Sequence, residues 1–382
     1  MLVTSAAGTG LARGRLRLEV LKRTFQRQSG LLAAPRLLNQ LAEKRRTIHG
    51  LTRVRKFARA KGRYFITPDS PGWPSQAFGG FIDNELGRLG AGGNKAHALQ
   101  TVIFAITSRC PLQCRHCFEW DNLDAGEHLS AGDLDAVMRK LQQHGVRHVQ
   151  LSGGEPLARF GDLVDLTGKY GREMDLWVLT SGFGLTSEKA AALSMAGLTG
   201  ANISLDHWDP AGHNDFRNHA DAFRWAGEAA ANCRRAGMAV SLSLCAARSF
   251  VTAGNLGRYR ELAREWGADF IRVLEPRQAG RFSGPETELS RSQTDLLDSF
   301  YLETNLDPKF RQYPIISYPG YHQRRVGCFG AGNRYLYIDS KGDFHACPFC
   351  LGSVGNALTG SLVEAIEKMK SRGCHVFRVN KG

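Results

Sequence analysis

Residues 101–120 read TVIFAITSRCPLQCRHCFEW, an apolar strand-like run followed by a loop that holds three of the chain's nine cysteines. Cys110, Cys114 and Cys117 are spaced C-x3-C-x2-C. Beyond the loop, LSAGDLDAVMRKLQQHG (residues 129–145) places Ser130 as a helix cap with Asp133 three positions on, and continues with apolar residues at helical spacing. The same rhythm then repeats. Strands are expected over 101–107, 146–151, 176–180, 201–205, 240–244 and 270–274, and helices over 162–170, 188–195, 221–236 and 256–266. Six strands alternating with helices imply a parallel sheet, either open and doubly wound or a partial (β/α) barrel. In both architectures the loop after the first strand lies on the C-terminal rim, where such folds carry their chemistry.

Composition agrees with a globular protein, at 382 residues and 42% hydrophobic content. The first twenty residues lack an apolar stretch of signal-peptide length, and no uncharged run reaches the roughly 18 apolar residues that would span a bilayer. A cytoplasmic location is therefore expected. In a reducing compartment clustered cysteines read as metal or redox ligands rather than disulfides.

The net charge of +14 is not spread evenly. Residues 1–63 hold 16 Lys or Arg and two acids, Glu19 and Glu43, and the remainder of the chain is neutral. Within this segment Leu37, Leu38, Leu41, Ile48, Leu51, Val54 and Phe57 recur among Lys44, Arg45, Arg46, Arg53, Arg55, Lys56 and Arg59, which predicts a basic amphipathic helix over 35–60. Packing on the main domain is the plainest role for it. Peripheral contact with an anionic membrane through residues 35–60 is the main alternative. Nucleic acid is not expected, since no RNA-binding signature or basic and aromatic interleaving is present. Residues 61–94 read as an ordered lead-in that ends at a Gly-rich break.

Three thiolates on one short loop suit three irons of a [4Fe-4S] cube, with the fourth iron open to substrate. Zinc competes for such a set, but structural zinc normally takes four closed ligands. His116, between two of the cysteines, is expected to pack beside the cluster or face solvent rather than ligate.

With SGGEP (152–156) at the end of the second strand, the cysteine loop resembles the radical S-adenosylmethionine (radical SAM) superfamily. The resemblance implies a (β/α)6 partial TIM barrel over 95–281, with catalytic side chains unassigned. It implies that Cys110, Cys114 and Cys117 hold a [4Fe-4S] cluster whose open iron binds S-adenosylmethionine. It further implies that Gly153, Gly154, Glu155 and Pro156 receive the amino group of that cofactor; glycines permit close backbone approach, and carbonyls and a carboxylate accept from an ammonium. Ser204 and Asp206, at the fourth strand end, are candidates for its ribose or carboxylate. Arg217 is a candidate for the carboxylate. Thr180 and Ser181 line the same rim, and Cys233 and Cys245 read as buried structural thiols.

The last sixty residues cluster cysteines again. Cys328, Cys347 and Cys350 surround a predicted hairpin, YLYID turning through Ser340-Lys341-Gly342 into DFHAC, and Cys374 follows a short helix. This spacing resembles the SPASM and Twitch extensions of radical SAM enzymes, which implies a second, auxiliary [4Fe-4S] cluster in a small C-terminal domain. The expected organisation is a basic N-terminal extension and lead-in (1–94), the core (95–281), a connector (282–325) and the cluster domain (326–382). A zinc ribbon and unligated thiols are the alternatives for the last.

The function implied is reductive cleavage of S-adenosylmethionine and removal of a substrate hydrogen, with a flavodoxin- or ferredoxin-type electron donor. The substrate is a peptide or a small molecule. An iron-sulfur electron carrier or redox sensor without turnover is the alternative, and it has no use for the GGEP segment.

Overall fold

The computed structural model describes residues 1–27, 33–49, 55–89, 99–282, 287–350 and 352–377. Three short strands, β1 (Leu2–Val3), β2 (Phe57–Ala60) and β3 (Arg63–Phe65), pair antiparallel in a sheet of their own. The six expected strands then follow within a residue or two of their expected limits: β4 (Thr101–Ala105), β5 (His148–Ser152), β6 (Asp175–Thr180), β7 (Gly200–Ser204), β8 (Ala239–Cys245) and β9 (Phe270–Leu274). They lie side by side in chain order, every pair parallel. Helices Ala131–Gln143, Phe160–Tyr170, Ser187–Ala196, Ala222–Arg235 and Ala253–Glu265 separate them. This is the α/β architecture of a partial barrel. The Ser130 and Asp133 capping box is present as expected, each residue satisfying the other's backbone N–H.

The sheet continues past both edges of the six. Strand β10 (Ile315–Ser317) adds parallel to β9, and β11 (Tyr335–Ile338) adds parallel to β4, with β12 (Phe344–His345) folded back antiparallel on β11. The predicted hairpin is therefore built directly onto the strand that carries the cysteine loop. Alternation along the strands separates two environments. Val102, Phe104, Val149, Leu151, Val178, Ile203, Leu242 and Ile271 point to the helices and join the main core. Trp177, Ala239, Phe270 and Ile315 gather inside the sheet with Ala58, Ala60 and Phe65, so the small N-terminal sheet plugs the end where the strands begin.

That plug corrects the helix expected over 35–60. A helix spans Ala33–His49, but Phe57–Ala60 is strand β2, and Leu51, Arg53 and Val54 lie outside the described residues. The physical reason is tertiary: Ala58 and Ala60 fill the barrel floor while Phe57 packs edge-on against Trp73. Lys56, counted above as part of a basic face, is 2% exposed. Its ammonium donates to the carbonyls of Thr304, Phe310, Tyr313 and Pro314 at 2.8–3.1 Å. In the lead-in a further helix, Gln76–Leu89, escaped the sequence reading because Gly79 and Gly80 interrupt it.

Candidate active site

Strand β4 ends at Ala105, and the segment after it is stitched to the end of β5. Gly154 N–H donates to the Thr107 carbonyl at 2.9 Å, and Glu155 N–H to the Arg109 carbonyl at 2.7 Å. The two glycines are required by this approach. A Cβ on Gly153, whose φ is +143°, would sit 2.4 Å from the Thr107 oxygen, and one on Gly154 would sit 2.3 Å from the Arg109 oxygen and 2.9 Å from Cys110 Cβ. The SGGEP segment and the cysteine loop thus form one unit, and the reason for glycine is contact between the two segments.

The loop is held from other sides as well. Cys110 N–H donates to Asp124, Ser108 Oγ donates to the Gly126 carbonyl, and Arg115 N–H donates to the Phe216 carbonyl. From the segment after β9, Arg281 N–H reaches the Cys117 carbonyl at 3.0 Å and its guanidinium reaches the Gln113 carbonyl at 2.9 Å. Arg281 lies far from the loop in sequence, and only the fold brings it there. His116 stacks on Phe216 with ring centroids 4.6 Å apart. Cys114 is buried, and Cys110 and Cys117 are half-buried. Burial pushes the Cys110 and Cys117 thiols up to about 12. Such thiols ionise only when a cation joins them.

Glu155 is fully buried, and its carboxylate is saturated by the protein. One oxygen accepts from Leu157 N–H and Thr180 Oγ, the other from Ser181 N–H and Ser181 Oγ, at 2.6–3.2 Å. Thr180 and Ser181 are therefore its partners, and the side chain ties the end of β5 to the end of β6. Asp206 is likewise committed. One oxygen takes both Nε and Nη2 of Arg217 at 2.6 Å, the other accepts Cys245 N–H at 2.9 Å, and its own N–H donates to His213 Nδ1. Burial raises the Asp206 carboxyl, but Arg217, His116 and His213 outweigh it and the net shift is downward. Arg217, a candidate for the cofactor carboxylate, is buried, with Nη1 3.6 Å from Cys114 Sγ. Ser204 ends β7 half-buried on the rim.

Residues 104–249 match the Radical SAM superfamily. Mycofactocin maturase MftC of Mycobacterium ulcerans is 30% identical over 280 residues, 69% of this chain and 73% of that protein. The chain belongs to the radical SAM superfamily. The PqqA peptide cyclase of Streptomyces rochei is 28% identical over 257 residues, covering 65% of this chain and 68% of the relative. Among solved structures, Streptococcus suis SuiB bound to precursor peptide SuiA superposes with a TM-score of 0.57 over 88% of this chain and 78% of that one, at 14% identity, a likeness of fold.

The residues of this radical SAM enzyme fit the cluster its family carries. Three thiols share one loop beside a guanidinium, and the neighbouring imidazole is occupied in a ring stack.

In the C-terminal region of the radical SAM enzyme, Cys328 follows the helix Pro319–Val326, Cys347 and Cys350 lie beyond β12, and Cys374 follows the helix Leu362–Arg372. The Cys347 and Cys350 sulfurs are 3.4 Å apart, and burial together with the neighbouring Cys374 pushes the Cys328 thiol up. Hydrogen bonding from Cys347 holds the Cys350 thiol below its ordinary value, while Cys347 itself is raised. The two cysteine regions touch. Phe118, next to Cys117, packs edge-on against Tyr337 of β11 at 5.7 Å and against Phe349, between Cys347 and Cys350, at 6.0 Å. No spacing rule points to Phe118, Phe349 or Tyr337, because the contact depends on β11 pairing with β4.

Proposed function

We propose that this radical SAM enzyme is a maturase of a ribosomally made peptide, with an auxiliary iron-sulfur cluster beside the radical centre. The observation that carries the reading is the stitching of the cysteine loop to the SGGEP segment by Gly154 and Glu155, because it makes one rigid rim of the two elements that a cluster and S-adenosylmethionine need together. The relative named for a peptide substrate, PqqA peptide cyclase, supports the peptide over a small molecule.

In this reading Cys110, Cys114 and Cys117 hold a [4Fe-4S] cluster. When bound there, with an electron from a flavodoxin- or ferredoxin-type donor, it supplies the reductive cleavage of S-adenosylmethionine that yields a 5'-deoxyadenosyl radical. The chain's own part is placement. Glu155, tied to Thr180 and Ser181, fixes the end of β5 against the end of β6; backbone carbonyls of residues 153–156 would accept from the cofactor amine, and Ser204 would offer a hydroxyl on the same rim. Asp206 holds Arg217 against Cys114, where the guanidinium donates to the sulfur. Cys328, Cys347, Cys350 and Cys374 hold the second cluster, which suits a reaction that takes an electron from the substrate.

The test is anaerobic reconstitution followed by reduction with a strong chemical reductant. About eight irons per chain are expected, with about four left when Cys110, Cys114 and Cys117 are all replaced by Ala. With S-adenosylmethionine present, slow release of 5'-deoxyadenosine should accelerate when a precursor peptide encoded beside the enzyme is added, and the peptide should change mass. Full iron in the triple variant overturns the cluster assignment, and acceleration by small molecules alone overturns the peptide.

A further inference from the structure

The first helix, Ala6–Arg27, packs on the protein with only one of its faces. Ala12 and Thr24 are buried, Leu16 and Val20 are half-buried, and the Ala12 carbonyl accepts from Trp73 Nε1. On the opposite face stand Leu11, Leu18, Leu21 and Phe25, 52%, 67%, 40% and 55% exposed. Residues 11, 18 and 25 are two turns apart in succession, so they form a straight ridge of about 21 Å at 1.5 Å per residue. The other large exposed apolar residues of the described chain, such as Met195 and Leu358, are scattered along it. Scattered ones are ordinary, whereas a contiguous row marks an interaction surface.

Charge identifies what covers it. Arg15 and Lys22 border the ridge on one side and Arg17 on the other, all exposed. The one acid of the helix, Glu19, is turned to Arg23, which also pairs with Asp83. The neighbouring helix Ala33–His49 adds exposed Arg36 and Arg46, while its Leu37 is buried and its Lys44 pairs with Glu85. A second copy of the chain is a poor partner, since a two-fold contact would bring these basic borders against themselves. The surface is also convex, a ridge on a single helix, where a bound peptide would need a groove. Leu and Phe between Arg and Lys on a helix lying flat is the composition of an interfacial helix.

We propose that the ridge Leu11–Leu18–Leu21–Phe25 with Arg15, Arg17 and Lys22 docks the enzyme on an anionic lipid bilayer. The contact is peripheral, as no helix among the described residues is long and apolar enough to cross a membrane. It moves the membrane contact expected at residues 35–60 onto the preceding helix, and it is independent of the chemistry proposed above.

The experiment is sedimentation of the full chain with vesicles of phosphatidylcholine containing phosphatidylglycerol, and with phosphatidylcholine alone. Wild type should sediment with the anionic vesicles, less so as salt rises. Leu18→Ser/Phe25→Ser should lower the partition coefficient about tenfold or more through lost apolar burial. Arg17→Ser/Lys22→Ser should lower it about thirtyfold, at roughly 1 kcal/mol per basic residue. Both variants should keep wild-type iron content and 5'-deoxyadenosine release, because they alter only the outward face. Wild type failing to sediment, equal binding to both vesicle types, or variants binding as wild type would each overturn the proposal. So would a wild-type dimer in size exclusion that Leu18→Ser/Phe25→Ser converts to monomer, since the ridge would then be a contact between copies.

Discussion

The two cysteine sets of this chain are assembled in opposite ways. Cys110, Cys114 and Cys117 come from one short loop at one strand end, and the fold around them supplies clamps: two glycines just past the next strand, an arginine held by Asp206, and the segment after β9. The C-terminal four are drawn from three separate segments, and what brings those segments together is a hairpin added to the barrel's first strand. A local set is pre-arranged by its own chain; a distributed set depends on the packing of everything between its members.

The largest expected difference is in chemistry. Cys114→Ala should abolish 5'-deoxyadenosine formation in the reduced, reconstituted enzyme, because a loop of three ligands cannot lose one and keep its cluster. Cys347→Ala should still cleave S-adenosylmethionine and should fail only in turnover of the peptide. Turnover by a folded Cys347→Ala protein would make the distributed set structural. Next in size is Arg217→Gln, which leaves Asp206 buried without its cation. Breaking a buried pair costs about 3 kcal/mol or more, and denaturant unfolding should show it. The double variant Asp206→Asn/Arg217→Gln should recover part of that loss, and a loss below 0.5 kcal/mol, about the scatter of surface changes, would mean that the pair does not support the loop.

Gly154→Ala should cost about 1–3 kcal/mol, the range for forcing an extra methyl into packed structure, and here the obstacle is backbone. Because the Arg109 oxygen would have to move, the loop should open: iron at the first set should fall while iron at the C-terminal set stays. Loss of iron from both sets would show that the two do not assemble separately.

What was legible in the chain follows the same division. Strand-helix alternation placed β4 to β9 within a residue or two, since each unit buries its own periodic face, and the spacing of Cys110, Cys114 and Cys117 needs no fold to be seen. Residues 57–60 form a strand rather than the expected helix because their fate is decided by the barrel floor, built by the starts of four strands far along the sequence. Lys56 was counted as surface charge because nothing local shows that four carbonyls from residues 304–314 surround it. Asp206 and Arg217 both stand out in the sequence, but their pairing with each other does not, since a distance of eleven positions does not show which way two side chains turn.

The smallest effect tests the join between the two sets. Phe118 belongs to the local loop and Phe349 to the distributed one, and their rings meet edge-on at 6.0 Å. An aromatic pair of this kind contributes about 0.5–1.5 kcal/mol beyond the area it buries, so a double-mutant cycle with Phe118→Leu, Phe349→Leu and both should give a coupling near 1 kcal/mol. Leucine keeps most of the apolar volume and removes the edge-to-face geometry, which isolates the contact from general packing. Phe118 also touches Tyr337, so Phe118→Leu alone should cost more than Phe349→Leu. A coupling within error of zero would mean that the cysteine loop and the C-terminal turn only lie near each other, and that β11 alone carries the connection between the two regions.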